Sequence, residues 1–354
     1  MIEIRRFEEI LSRFTQVKLA VLGDFFLDLY IQLDRALSEL SLETHKEAFQ
    51  AVDLRGQPGA AGVVVNNLSS LGARAAAIGY TGKDGNGYTL RSALKIMNID
   101  TDSLIEWEGR FTPTYTKPFM KELDGHLIEL NRIDIINQLP NPKALNLALI
   151  DKLSKAILAF DGILVLEQVN KDGFGTLSPI LRSKLSDLAR VNPDKVIIID
   201  SRPFLAKYAG LSLKMNLSEA IYAAKTLDKT LDDIDENNKL IASARCSQIF
   251  WEAFQKPIFI TLGADGISGT SDGEYFHFPG YRNIGPIDIV GAGDAVLATI
   301  GLAQCAGADP KEAAFIGNLV GSLIVQQIGT TGKVTQDQLR QRYIDYQNQF
   351  ENWM

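Results

Sequence analysis

Five short apolar runs, each followed by residues with helical spacing, constrain the fold of this chain more than any other sequence feature. The runs occupy residues 18–23, 75–79, 162–166, 195–200 and 257–261. Because they are almost continuously apolar, they are typical of strands buried on both faces of a parallel sheet. Their alternation with helical segments predicts an α/β fold, in which a doubly wound, mostly parallel sheet is flanked by helices.

Two segments interrupt this alternation. Residues 29–54 and 110–132 carry alternating polar and apolar residues, which predict antiparallel strands outside the main sheet. An ordinary β-hairpin excursion would give the same pattern, so the residues alone leave the role of these strands open. The length of 354 residues fits one large α/β domain or two small ones, and we predict a single domain over residues 1–354 that contains both segments.

Composition excludes several classes of function. The formal net charge is −7 and no basic run of five residues occurs, which argues against a nucleic-acid partner. The chain has two cysteines without metal-ligand spacing and three scattered histidines, so a disulfide framework, a zinc site and a histidine triad are not expected. It contains neither a stretch of eighteen apolar residues nor a signal-peptide pattern, and we therefore expect a cytoplasmic protein without a membrane partner.

The turn formed by Gly291, Ala292, Gly293 and Asp294 carries the strongest chemical signal. It precedes an apolar stretch with helical spacing, so it predicts a glycine-rich turn that opens a helix. Unpaired amides and the helix dipole make such a turn an anion site. An acid in that position suits proton abstraction from a hydroxyl while the amides stabilise charge on a transferred phosphoryl group. A simple helix-capping aspartate is the alternative.

Two motifs resemble signatures of the ribokinase-like (PfkB) family of small-molecule kinases. Residues 288–294 match the pattern Asp-x-x-Gly-Ala-Gly-Asp, and residues 79–87 resemble the other signature. The resemblance implies a ribokinase-like fold with a small antiparallel β lid, and ATP with Mg²⁺ as phosphoryl donor. It implies Asp294 as general base and residues 291–293 as anion hole. It also places Asp288 and the carbonyl of Val290 around a monovalent-cation site, which K⁺ would fill.

Three residues are candidates for binding the acceptor. Asp24 follows the first predicted strand, and Asp28 comes four residues later. Carboxylates at a strand end can accept hydrogen bonds from sugar hydroxyls, although a helix-capping role is equally compatible with the sequence. The resemblance favours acceptor binding for Asp24 and Asp28, together with Gly59 in a small-residue element that precedes a helix.

Six residues are candidates for the nucleotide side. Asn216 and Glu219 resemble the family's Asn-x-x-Glu motif, in which the glutamate would organise the waters of Mg²⁺, while a capping box gives much the same sequence. Thr261, Gly263 and Gly266 resemble the nucleotide-binding loop, and a hairpin turn is the alternative there. The resemblance also places Asn318 near the adenine.

Within the family, the chain looks most similar to the kinase half of bifunctional heptose 7-phosphate kinase/ADP-heptose synthases. Ala60, Val63 and Glu167 depart from that pattern on the acceptor side. The resemblance therefore implies a kinase for a sugar or sugar phosphate, with a heptose 7-phosphate-like acceptor as the first candidate, and a homodimer formed through the lid.

Two other functions stay open from the sequence. A nucleoside kinase of the same fold would need an aromatic stacking surface, for which Phe25, Phe26 and Phe119 are candidates. A non-catalytic sugar or nucleotide sensor derived from a kinase is the other alternative.

Overall fold

The structure, a computed structural model, describes residues 2–228, 234, 238–329 and 331–351. Numbered along the chain, the strands are β1 (Lys18–Gly23), β2 (Phe25–Leu40), β3 (Glu47–Ala60), β4 (Arg74–Gly82), β5 (Leu104–Trp107), β6 (Thr114–Lys121), β7 (Leu127–Glu129), β8 (Ile133–Ile135), β9 (Gly162–Glu167), β10 (Val196–Ser201), β11 (Ser212–Asn216), β12 (Ile258–Thr261), β13 (Ile267–Ser271) and β14 (Glu274–Phe278). The α-helices are α1 (Ile4–Arg13), α2 (Ala61–Ser70), α3 (Gly85–Ile96), α4 (Lys143–Ala159), α5 (Pro179–Val191), α6 (Leu217–Leu227), α7 (Lys239–Phe254), α8 (Ala292–Cys305), α9 (Pro310–Ile324) and α10 (Gln336–Glu351).

The main sheet confirms the predicted α/β architecture. Its strand order is β14-β13-β12-β11-β10-β9-β1-β4-β5, and all pairings are parallel except the two that involve β13. The five predicted runs became β1, β4, β9, β10 and β12. The sequence analysis missed β11, because Lys214 interrupts its short apolar run.

Helices cover both faces of the main sheet, as the continuous apolar strands require. Along β1, Leu19 and Val21 belong to one buried cluster, whereas Ala20 and Leu22 belong to the other. Successive side chains of a strand point to opposite faces, so each face of β1 contributes to a separate core. Helices α8 and α9 pack in the first cluster, and α5 and α6 pack in the second.

A second sheet projects from the end of β1. Its strand order is β3-β2-β6-β7, and β8 pairs with β6. The pairings β2–β3, β6–β7 and β6–β8 are antiparallel, whereas β2 and β6 run parallel. Its strands begin at Phe25 and end at Ile135, so this sheet extends beyond the two predicted segments.

This topology brings distant segments to one edge of the main sheet. The carboxyl ends of β1, β10, β11 and β12 lie there, and α8 begins at the same edge. Ligands collect at the carboxyl ends of strands in open α/β sheets. In the part of the chain that the structure describes, no helix has the length and apolarity needed to cross a membrane.

Candidate active site

A cleft of about 1060 Å³ lies between this edge of the main sheet and the base of the second sheet. It collects most of the residues that the sequence singled out: Asp28, Asn216, Glu219, Thr261, Gly263, Gly266, Val290, Gly291, Ala292, Gly293, Asp294 and Asn318. Three other predicted residues, Asp24, Gly59 and Asp288, do not line it.

The first turn of α8 forms the floor of the cleft. Gly291 adopts φ 79°, a left-handed conformation that suits glycine, and no side chain caps the helix N-terminus. A Cβ atom on Gly293 would lie 2.9 Å from Lys214 Nζ, so only glycine admits the ammonium so close to the turn. The amides of a first helical turn have no intrahelical acceptor. The turn can therefore hold an anion beside a cation.

Asp294 lies in this first turn and faces the cleft. Burial raises the pKa of its carboxyl to about 7, and the nearby Asp200 carboxylate adds to the rise, while Lys214 and Arg202 oppose it. A carboxyl group with such a pKa can accept a proton near neutral pH.

Lys214 is a site residue that the sequence analysis missed. It is only 4% exposed, and its Nζ lies 2.6 Å from Asp200 Oδ2. Burial lowers the pKa of Lys214, but the charge and hydrogen bond of Asp200, together with the charges of Glu219 and Asp294, leave that pKa raised. Lys214 therefore stays protonated beneath the turn. A lysine in the middle of a buried strand was the available signal.

Two cations and a carboxylate lie at the end of the cleft beside the second sheet, which is the predicted acceptor end. Lys117 Nζ lies 3.3 Å from Asp28 Oδ1, and Arg132 lines the same end. Burial raises the pKa of Asp28, against the opposing effect of Lys117. A Cβ atom on Gly59 would lie 3.0 Å from Asp28 Oδ2, so Gly59 gives the carboxylate room without lining the cleft. The sequence predicted only strands around Lys117 and Arg132, and did not mark these cations.

Asp24 lies at the end of β1, as predicted, but it does not line the cleft. It is 3% exposed, and its Oδ2 accepts hydrogen bonds from the amides of Gln168 at 2.9 Å and Val169 at 3.1 Å. Its Oδ1 accepts from the amide of Thr176 at 2.6 Å. Both carboxylate oxygens are thus occupied by the loop after β9. These contacts anchor that loop, and acceptor binding by Asp24 stays a prediction.

Asn216 and Glu219 form a capping box at the start of α6. Asn216 Oδ1 accepts from the Glu219 amide at 2.9 Å, and Glu219 Oε2 accepts from the Asn216 amide at 2.8 Å. This is the alternative that the sequence had left open, yet both residues also line the cleft. Burial raises the pKa of Glu219, as does the neighbouring Asp200.

The remaining predicted nucleotide residues surround the opposite end of the cleft from Asp28. Thr261 Oγ1 donates to the Met215 carbonyl at 3.3 Å, and Asn318 Nδ2 donates to the Pro279 carbonyl at 2.8 Å. Gly266 adopts φ 94°, and a Cβ atom there would lie 2.1 Å from the Phe278 carbonyl oxygen. The loop that contains Gly263 and Gly266 leads into the β13–β14 hairpin, the alternative noted from the sequence.

Asp288 stabilises the turn at residues 291–294 through hydrogen bonds from two backbone amides. Its Oδ1 accepts from the Val290 amide and its Oδ2 from the Gly329 amide, both at 3.0 Å. Among the described residues, no group of three or more His, Cys, Asp or Glu side chains could hold a metal ion. A cation at this site would therefore depend on carbonyls, water or a bound phosphate.

The departures from the family pattern lie in different places. Val63 lines the cleft and lies 3.4 Å from where a Cβ on Gly291 would be, and Ala60 also lines it. Glu167 is buried away from the cleft, where it accepts hydrogen bonds from Arg182, Ser201 and Tyr208. The change at Glu167 therefore does not alter the cleft wall directly.

Of the three aromatic candidates for a stacking surface, only Phe26 lines the cleft. Phe25 is 1% exposed within the core, and Phe119 stacks on Tyr30 with ring centroids 6.2 Å apart. Tyr115 also lines the cleft, and it packs edge-on against Phe26.

Comparison with known proteins shows the family of this chain. Residues 18–337 match the family described as pfkB family carbohydrate kinase. The bifunctional protein HldE of Koribacter versatilis (strain Ellin345) is 28% identical over 312 residues, which cover 88% of this chain. The chain spans about 60% of the length of that curated relative.

Two solved structures share the fold. Phosphofructokinase-2 from Escherichia coli, in complex with potassium, has a TM-score of 0.67 at 16% identity, over 93% of this chain and 98% of that one. Arabidopsis thaliana ribokinase, complexed with ribose and ATP, has a TM-score of 0.60 at 16% identity, over 89% of this chain and 94% of that one. The chain therefore belongs to the pfkB family of carbohydrate kinases, which transfer a phosphoryl group to a sugar hydroxyl.

Proposed function

We propose that the chain transfers the γ-phosphoryl group of ATP to a hydroxyl of a sugar phosphate, with Asp294 as general base. The observation that carries this proposal is the position of Asp294. It lies in an uncapped first turn of α8, in the same cleft as the cations near Asp28 and the capping box at Glu219.

The residues of the floor divide the chemistry between them. The acceptor hydroxyl would lie within about 3 Å of the Asp294 carboxylate, which takes its proton as the new oxygen–phosphorus bond forms. The bond to the ADP oxygen breaks, and ADP leaves with that electron pair. The amides of Gly291 and Gly293 and the Lys214 ammonium would stabilise the charge on the transferred group, whereas the Ala292 amide donates to the Ile289 carbonyl at 3.2 Å.

The oxygen groups in the cleft suit a Mg²⁺ that is held mainly by the nucleotide better than one that is coordinated by protein side chains alone. Mg²⁺ keeps several waters and prefers oxygen ligands, and it would neutralise phosphate charge when bound with ATP. Glu219, in the capping box of α6, would bind the water ligands of this Mg²⁺. We also propose K⁺ near Asp288 and the Val290 carbonyl, since Asp288 fixes that turn and the related phosphofructokinase-2 was solved with potassium.

The charges at the acceptor end favour a phosphorylated acceptor over a free sugar. Lys117, Arg132 and Arg202 line this end, where Lys117 pairs with Asp28 and Arg132 pairs with Asp134. Three cations therefore stand against two carboxylates. Lysine and arginine bind phosphate oxygens through charge-assisted hydrogen bonds. A heptose 7-phosphate-like sugar remains the first candidate. A nucleoside acceptor is less supported, because Phe26 alone among the predicted aromatics reaches the cleft.

The second sheet carries the surface on which we propose a homodimer. Its exposed apolar side chains include Leu37, Leu40, Phe49, Val52, Leu54, Leu127 and Ile133. A cluster of this kind commonly marks a protein interface. The predicted single domain, the lid role of this sheet and the cytoplasmic location stay predictions.

ADP release from ATP and Mg²⁺ across a panel of sugars, sugar phosphates and nucleosides tests the proposed function. We expect turnover with a sugar phosphate and only background ATP hydrolysis without an acceptor. Turnover with nucleosides alone would show that the acceptor is a nucleoside and not a sugar phosphate. Tight sugar binding without turnover by folded protein would favour the sensor alternative.

A further inference from the structure

Arg342 is a buried arginine held entirely by uncharged groups. It lies on α10 and is 5% exposed, and among the described residues no carboxylate forms an ion pair with it. Its Nε has no hydrogen-bond partner there either. Burying a guanidinium without a carboxylate is costly, so a fold retains it most readily where its donors fix other groups.

Three of the four partners of Arg342 belong to one wall of the cleft, and the fourth, Gln326, lies outside it and accepts from Nη2 through its Oε1 at 2.6 Å. Nη1 donates to Ser322 Oγ at 2.6 Å and to Asn283 Oδ1 at 3.3 Å. The guanidinium carbon lies 4.0 Å from the centroid of the Tyr281 ring, so one face of that ring is covered by the cation. Tyr281, Asn283 and Ser322 all line the cleft, whereas Arg342 lies behind them.

This wall lies at the end of the cleft that we assign to the nucleotide. It is built on residues 279–283, which have no regular secondary structure. Gly266 packs against this segment, since a Cβ there would lie 2.5 Å from the Gly280 amide. On the other side, Asn318 donates to the Pro279 carbonyl. Both residues are predicted nucleotide ligands.

Helix α10 fastens the 279–283 segment at two further points. Tyr346 donates its hydroxyl to the Pro279 carbonyl at 2.8 Å, and Gln349 Oε1 accepts from the Arg282 amide at 3.2 Å. An irregular segment held by side chains of one helix takes its shape from that helix. Of these tethers, Arg342 alone contacts side chains that face the cleft.

We propose that Arg342 is a positioning residue for the nucleotide, which it serves by fixing Tyr281 and Asn283 as the wall against which the base or ribose packs. The inference rests on the proposed function, because that function assigns this end of the cleft to ATP. Arg342 itself contacts no substrate in this account. Its loss should weaken nucleotide binding and leave acceptor binding unchanged.

The test is the affinity for ADP and for ATP with Mg²⁺, measured by calorimetry on the full chain without an acceptor. Arg342→Met keeps the length of the side chain and removes its charge and donors, and we expect it to weaken nucleotide binding about tenfold. Arg342→Lys, which keeps the charge but loses the planar fork, should recover part of the affinity. The acceptor KM should change less than about twofold, within ordinary additivity error.

Arg340→Met is the matched control. Arg340 lies on the same helix and pairs with Glu8 and Asp337, away from the 279–283 segment. We expect wild-type nucleotide affinity from this variant. An equal loss in both variants would overturn the inference, because general damage to α10 would then explain it.

Tyr281→Leu keeps the inference testable if Arg342→Met fails to fold. It should weaken nucleotide binding to a similar degree, and where both fold, the double variant should be no weaker than either single variant. If Tyr281→Leu or Arg342→Met binds nucleotide with wild-type affinity, the inference is overturned and the proposed function is not affected. A wild-type protein that binds no nucleotide would overturn the proposed function and the inference together.

Discussion

Asp294 shows how a single residue can trade stability for chemistry. Its half-buried carboxyl lies near Asp200, and its pKa is raised to about 7 in the folded chain from an ordinary value of 3.8. A group whose pKa is higher in the folded chain than in the unfolded chain stabilises the fold fully at a pH below the unfolded-state pKa. This contribution is lost as the pH rises through the folded-state pKa. The charged Asp294 is therefore a cost to folding above about pH 7.

The first prediction is that Asp294→Asn unfolds at a higher urea concentration than wild type at pH 8. The gain should be about 1–2 kcal/mol after screening by water in the cleft, and it should shrink towards pH 5, where the wild-type carboxyl is protonated. Urea titrations at the two pH values, followed by circular dichroism, measure it. A pH-independent difference would show that the carboxyl is not buried as described.

Substitution of Asp24 distinguishes two roles of this residue, as an anchor of the loop after β9 or as an acceptor ligand. Asp24→Ala leaves three backbone amides without their acceptor, so we expect a loss of about 2–4 kcal/mol in the free energy of unfolding. Asp24→Asn should lose less, because one oxygen remains. Unchanged stability with abolished acceptor binding would instead support the role predicted from the sequence.

Strand β6 provides a matched pair of lysines at the scale of an element. Lys117 reaches the cleft beside Asp28, whereas Lys121, four residues further along, pairs with Asp34 outside it. We expect Lys117→Met to raise the KM for a sugar-phosphate acceptor at least about tenfold, since it loses a charge-assisted hydrogen bond. Lys121→Met should leave that KM unchanged. Equal effects would place the acceptor phosphate elsewhere.

Local patterns predicted the elements better than the contacts between them. The strand runs and the turn at residues 291–294 depend on neighbouring residues, so periodicity and glycine placement were sufficient. Lys117 and Lys214 join the site only because the order of strands brings β6 and β11 to the same cleft, and Arg132 joins it because β8, which it precedes, pairs with β6. Asp24 shows the limit of a local rule, since an acid at a strand end can serve the backbone as well as a ligand.

At the scale of the whole molecule, the second sheet contributes both to the cleft and to the proposed homodimer interface. Strands β2 and β6 carry Asp28 and Lys117, and the exposed apolar side chains of the same sheet lie on β2, β3, β7 and β8. A partner on that surface would also hold the acceptor residues in place.

We expect the wild-type chain to sediment at about twice its mass of 39.0 kDa. Leu54 is 64% exposed on β3, and Leu54→Glu should yield a monomer, because a charge at an apolar interface is desolvated without a partner. Sedimentation equilibrium measures both states. A monomeric wild type would refute the proposed interface without touching the assignment of the cleft.

The most direct test of the central claim is acceptor-dependent ADP release by wild type and Asp294→Asn, with binding of ATP and acceptor measured separately. An amide cannot take the proton of the acceptor hydroxyl, so kcat should fall about 100- to 10,000-fold while both ligands still bind. A folded Asp294→Asn variant that turns over at close to the wild-type rate would contradict the assignment of Asp294 as general base.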